Sequence, residues 1–174
     1  MTIQDIQKKL SEFFQGEAIE LIEGAKNAQG HQVGDPSLLI PAAKIKDVCE
    51  KLKVIEQFSF DCLSNITAAD WKDRFEVVYQ LFSYKHRHSV TLRVKVGRGD
   101  EATLPSVPSL DEVWGCANWL EREVYDLFGI NFEGHSDMRR IMLPEDWIGH
   151  PLRKDFKEQD DYHGIATTRP SLLN

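Results

Sequence analysis

Several features common in cofactor-binding and membrane proteins are missing from this 174-residue chain. Its three cysteines, Cys49, Cys62 and Cys116, stand singly and never form a CxxC pair. An iron–sulfur cluster or structural zinc held by this chain alone is therefore not expected, and the thiols read as reduced and mostly buried. No glycine-rich turn joins a strand to a helix, and GRG at 97–99 is too short to cradle a phosphate. There is no HExxH and no serine or cysteine elbow. No apolar run nears the roughly 18 residues that span a bilayer, and MTIQDIQKKL lacks the apolar segment of a secretory signal. Any membrane association is thus expected to run through another protein. Basic residues are also in deficit, 21 Lys+Arg against 28 Asp+Glu with a net charge of −7, which argues against nucleic acid as the partner.

What is present is a core. Hydrophobic residues make up 41 % of the chain, enough for one folded domain rather than a disordered chain. Ile3, Ile6, Leu10, Phe13 and Phe14 recur at helical spacing, with Thr2 as N-cap and Gly16 as stop. AIELIE (18–23) and SLLI (37–40) read as short strands around a turn-rich stretch at 24–36. Pro41 then opens a helix with Ile45, Val48 and Leu52 on one face. FSFDCLSNIT (58–67), RFEVVYQLFSY (74–84) and SVTLRVKV (89–96) read as three strands, the last two a hairpin across KHRH. Residues 97–109 read as a loop broken by Gly and Pro. Ser109 and Glu112, at capping-box spacing, open a helix striped by Val113, Ala117, Leu120, Val124 and Leu127 and closed by Gly129. The order predicts an α+β domain over 1–129, with a mixed or antiparallel sheet and helices on one face. Residues 130–174, with Pro144, Pro151 and Pro170 and no periodicity, read as an extended irregular docking tail.

The run EREVYDLFGINFEGHSDMRRIMLPEDWIGHPLRKDF (121–156) concentrates thirteen charged residues and two histidines. A metal site would draw on His135 and His150 with Glu133, Asp137, Glu145 and Asp146, but no pair has i, i+4 ligand spacing and four nearby cations oppose it. Glu121 and Glu123, two apart on a helix, make a poor acid–base pair, and Arg122 with Asp126 reads as a helical ion pair. Basic Arg139, Arg140, Arg153 and Lys154 lie beside acidic residues and apolar Phe132, Ile141, Met142, Leu143, Trp147, Leu152 and Phe156. That composition favours a protein-docking surface.

The same run resembles the signature region of the C subunit of respiratory complex I, the NADH:quinone oxidoreductase. ITAADW (66–71), RFEVVYQLFS (74–83) and LRVKV (92–96) are similar to that family's central strands, so the likeness runs from Phe58 to Phe156. The first 56 residues carry no family motif, and KEQDDYHGIATTRPSLLN after Phe156 matches none. The resemblance implies a scaffold protein of the peripheral arm, on the cytoplasmic side of the bacterial inner membrane. The whole proton-translocating complex passes electrons from NADH through FMN and iron–sulfur clusters to quinone. The resemblance implies that this member binds none of those cofactors. It implies packing against the D subunit, which holds the quinone site, and near the cluster-bearing B and I subunits. Some relatives are fused to the D subunit; this chain reads as a separate polypeptide. The residues expected to dock are Glu121, Arg122, Glu123, Arg139, Arg140, Trp147, His150, Arg153 and Lys154. Two alternatives stand: the equivalent member of a membrane-bound hydrogenase or ferredoxin-dependent dehydrogenase, and a free-standing soluble enzyme.

Overall fold

The structure, a computed structural model, describes residues 2–14, 19–25, 28–29, 34–99 and 103–167. Gly16 and Pro170 lie outside these residues, as do parts of the 18–23 and 24–36 stretches. Helix α1 (Ile3–Phe13) starts at a capping box, Thr2 accepting from the Asp5 N–H and Asp5 from the Thr2 N–H. Strands β1 (Glu20–Ile22) and β2 (Ser37–Leu39) pair antiparallel. A 3-10 turn (Ala42–Lys44) after Pro41 leads into α2 (Ile45–Val54). Strands β3 (Cys62–Asp70), β4 (Arg74–Ser83) and β5 (His88–Gly97) form an antiparallel meander, in which the expected hairpin pairs Ser83 with His88. The sheet order is β1-β2-β5-β4-β3, with β2 parallel to β5.

Period-two alternation puts Phe75, Val77, Tyr79 and Leu81 of β4 inward with Val90, Leu92, Val94 and Val96 of β5. They join Ile6 and Leu10 of α1 and Val48, Cys49 and Leu52 of α2 in one core. The outward side of β4 and β5 is mixed, with Val78 and Phe82 of β4 among polar residues. There Glu76 is buried between Arg74 (3.2 Å) and Arg93 (3.5 Å). The fold is the expected α+β arrangement of a mixed sheet with three helices.

Four expectations change. FSFDCLSNIT overlaps a strand that begins only at Cys62 and continues to Asp70. The last helix, α3, spans Ala117–Phe128 rather than starting after Ser109. The Ser109 hydroxyl does not cap it but donates to Glu121 at 2.6 Å, a long-range bond that outcompetes the local one. The supposed loop at 97–109 contains β6 (Ser106–Pro108), and the supposed irregular tail contains β7 (Asn131–Glu133), paired parallel to β6. The tail also holds a small hairpin of β8 (Asp161–Tyr162) and β9 (Ile165–Ala166). Among the described residues no helix is long and apolar enough to cross a membrane.

Candidate docking surface

An α-helix ends with carbonyls that have no partner in the helix itself. At the end of α3, Gly129 adopts the left-handed conformation (φ 67°, ψ 42°) and its N–H returns to the Tyr125 carbonyl at 2.8 Å. The next carbonyls are met by the tail, donor by donor. His150 Nδ1–H donates to Asp126 O at 2.9 Å, and Leu152 N–H donates to Leu127 O at 3.0 Å. Arg153 donates from Nε to Phe128 O at 2.6 Å and from Nη2 to Gly129 O at 3.0 Å. Residues 150–153 thus act as a C-terminal cap, and the guanidinium sits at the negative end of the helix dipole. His150, desolvated and near Arg153 and Arg140, is pushed below the usual imidazole range, with its bond to the Asp126 carbonyl opposing.

One turn earlier a second knot forms. Asp126, fully buried, accepts with Oδ2 the N–H groups of Ile141 (3.0 Å), Met142 (2.7 Å) and Leu143 (2.8 Å). Its Oδ1 accepts from Arg140 Nη1 at 2.7 Å, and Arg140 Nη2 donates to Gly149 O at 3.0 Å. Burial alone would raise this carboxyl; the three N–H donors and Arg140 overcome it and hold it below the usual range. Arg122 is therefore not paired with Asp126 as the i, i+4 spacing suggested. It donates to the Arg139 carbonyl (3.2 Å) and the Arg140 carbonyl (3.4 Å), with Asp137 at 3.9 Å, and stacks on Trp119 at 5.3 Å.

Glu121 faces the other way, into the core. Its carboxyl accepts from the Ser109 hydroxyl (2.6 Å) and the Leu110 N–H (2.6 Å), pinning the loop that leads into α3. Burial, reinforced by Asp111 and opposed by these two donors, pushes it up from 4.5 to about 7. An acid whose folded value is raised stabilises the fold fully below its unfolded value; that stability is lost as pH rises from about 4.5 through about 7. The linked loss is about 3 kcal/mol. Glu121→Gln, which keeps the shape and cannot ionise, should match the wild type near pH 4.5 and exceed its Tm by several degrees at pH 8. A Tm difference that stays constant across that range would remove burial of an ionisable Glu121 as the cause.

The remaining expected residues are spread over the surface of the same segment. Glu123 is exposed on α3. Arg139 is exposed and pairs with Asp137 at 3.0 Å. Trp147 is half-buried against Tyr162, 5.2 Å between rings, and the hairpin carrying Tyr162 is held by Asp146. Lys154 gives its N–H to Asp70 (2.8 Å) and lays its ammonium over Trp71. Asp70 also takes the Arg98 guanidinium, which reaches Asp155 at 2.5 Å, so β3, the end of β5 and the tail meet here. The two histidines weighed as metal ligands serve the backbone: His135 Nε2 meets Asn118 O at 3.0 Å and its Nδ1 accepts the Asp137 N–H at 2.9 Å.

Asp126, the hub of the surface, is absent from the expected docking set. One signal could have found it. A carboxylate in the last turn of a helix has the wrong sign for the dipole and calls for a cluster of donors. Across the described tail a second pattern appears. From Glu133 to Thr167 no side chain is fully buried. Met142 (62 % exposed), Ile148 (68 %), Leu152 (51 %) and Ile165 (69 %) point to solvent. Arg140, His150 and Arg153 are partly buried while these four apolar side chains are exposed, beside exposed charges such as Arg139, Glu145, Asp146 and Lys154.

Comparison with known proteins gives the arrangement a setting. The family model described as "Respiratory-chain NADH dehydrogenase, 30 Kd subunit" matches residues 38–162. The NADH-quinone oxidoreductase C subunit of Roseiflexus castenholzii is 45 % identical over 125 residues, covering 70 % of each chain. The protein of the same name from Trichlorobacter lovleyi is 40 % identical over 148 residues, 82 % of this chain and 89 % of that one. That of Chloroherpeton thalassium is 46 % identical over 112 residues, and the match spans only 45 % of its length. Among solved structures, a chain of the membrane-bound sulfane sulfur reductase, an archaeal respiratory membrane complex, superposes with a TM-score of 0.66. Its sequence identity is 25 %, over 88 % of this chain and 85 % of that one.

Proposed function

Because the chain belongs to the family of the 30 kDa subunit of respiratory-chain NADH dehydrogenase, the C subunit of complex I, we propose that it is a scaffold of that complex's peripheral arm. In this reading it carries no electrons. It holds its neighbours, the quinone-site D subunit and the cluster-bearing B and I subunits, on the cytoplasmic side of the membrane. FMN and the iron–sulfur clusters belong to those and other partners. Of the three thiols that could ligate a cluster only Cys49 is buried, its thiol pushed far up by desolvation; Cys62 is half-buried and Cys116 exposed, so the expectation of mostly buried thiols holds for Cys49 alone. Cys116 donates to the Leu63 carbonyl at 3.5 Å.

The observation that carries the proposal is the set of exposed apolar side chains on a tail stitched to α3. Arg140, Arg122, His150 and Arg153 shape the segment by binding its own backbone and α3, and Met142, Ile148 and Leu152 are left exposed on it. Such side chains gain by being covered, at about 25 cal/mol per Å² of apolar surface. Arg139 and Lys154 of the same segment are exposed as well. The docking function of the polar residues is thus divided: some build the surface and others face the partner.

A tagged copy of the chain, drawn from membranes in mild detergent, tests the reading. NADH:quinone activity with FMN and co-purifying large subunits is the expected result. Nickel without NADH activity would move the chain to a hydrogenase-like complex; the likeness to a chain of the sulfane sulfur reductase keeps that second reading in view. Turnover by the chain alone would overturn the scaffold role. Arg153→Ala should lower the amount of assembled complex, because it uncaps α3. Normal assembly with slow turnover would instead favour a direct role in the reaction.

A further inference from the structure

A cleft of about 750 Å³ opens between the end of β5 and the tail. Arg98, Arg153 and Lys157 line it, together with the apolar side chains of Leu104, Ile148 and Phe156. We infer that this cleft seats an acidic, partly apolar segment of a neighbouring protein in the complex. The inference rests on the scaffold reading and gives its interface a chemical identity.

Charge is the first argument. The chain as a whole carries −7, yet the cations here outnumber the carboxylates. Among the described residues, Asp155 is the one acid in the lining; Arg98 holds it at 2.5 Å and also holds Asp70 behind it. Among the described residues a positive excess remains even with both acids counted, and Lys157 is exposed. A basic cleft on an acidic protein selects for a negative partner and against copies of the chain itself.

Shape is the second argument. Ile148 is 68 % exposed at the cleft, and Phe156 forms part of the wall against Gly149, where an added Cβ would meet the ring at 3.1 Å. A small inorganic anion would leave these apolar groups in water. A peptide with a carboxylate beside an apolar side chain satisfies both halves. Ile148, one of the exposed apolar side chains of the tail, belongs to this lining, so a partner seated here covers it. Asp100 and Glu101, next after Gly99 in sequence, carry the same sign of charge as such a segment.

Zero-length carbodiimide coupling of the intact, detergent-purified complex reads the occupant directly, because it joins a lysine only to a carboxylate in contact with it. The expected result is an amide between Lys157 and an Asp or Glu of another protein of the complex. Lys157→Arg should abolish that link and leave assembly intact, while Lys157→Glu should lower retention of this chain at raised salt about tenfold. Links from Lys157 only to Asp100 or Glu101 of its own chain would overturn the inference. So would full acetylation of Lys157 by an amine-reactive reagent in the intact complex. Either result would leave the scaffold reading standing, since that depends on whether the chain co-purifies at all.

Discussion

Asp126→Ala should detach the segment 139–143 from α3 and cost about 3–5 kcal/mol, the range for breaking a buried ion pair from one side. Arg140, its side chain only 16 % exposed, would lose the carboxylate it holds at 2.7 Å, and three consecutive N–H groups would lose one shared acceptor. Hydrogen exchange reads this directly: the amides of Ile141, Met142 and Leu143 should go from protected to fast, while those of β4 and β5 hold. Asp126→Asn is the informative companion. Its carbonyl can still accept from the backbone, but its amide cannot serve Arg140, so partial protection should remain. In the wild type the carboxyl lies below its ordinary value of 3.8. Its contribution is therefore complete above that value and fades as pH falls through the lowered one, opposite in sign to Glu121. Unchanged exchange at 141–143 in Asp126→Ala would remove Asp126 as the hub.

Gly129→Ala should be nearly as damaging, for two separable reasons. The backbone there is left-handed, which costs a non-glycine residue about 1 kcal/mol. In addition the new Cβ would stand 2.5 Å from the His150 ring and 2.6 Å from Arg153 Nη2. Both side chains are anchored to helix carbonyls and cannot withdraw without uncapping α3. Together the effects should reach about 2–4 kcal/mol. Gly134→Ala isolates the first term, since Gly134 has φ 83° with nothing within 4 Å of a built Cβ. Chemical denaturation of the pair should therefore show a loss at least twice as large at Gly129. Equal losses would mean that the cap gives way easily.

The elements that hydrophobic spacing could reveal were legible. Alternation along RFEVVYQLFSY and SVTLRVKV marks β4 and β5, because each strand buries one face, and Gly129 marks a helix end. The three-residue strands β6 and β7 were not legible, since a pair so short has no period to detect and lies 25 residues apart at Ser106 and Asn131. The start of α3 was misread for a related reason. Ser109 and Glu112 have the spacing of a cap, but the Ser109 hydroxyl has a stronger use on Glu121, twelve residues on. In the tail the residue types of an interface could be read, and nine residues were singled out. Which of them face inward was not readable. Arg122, with Asp126 one turn away, belongs instead to the carbonyls of Arg139 and Arg140.

The sequence by itself determined the class of the domain, its family and the region where its chemistry is concentrated. Those depend on composition, on short-range periodicity and on a long signature run. Only the tertiary structure decided that the tail is stitched to α3 through Asp126, His150 and Arg153, and that Met142, Ile148 and Leu152 are left exposed on it. The physical reason is that a charged side chain has many near-equivalent partners along a sequence. Which one it takes depends on where desolvation makes an unmet donor or acceptor most costly, and that is set by the packed fold.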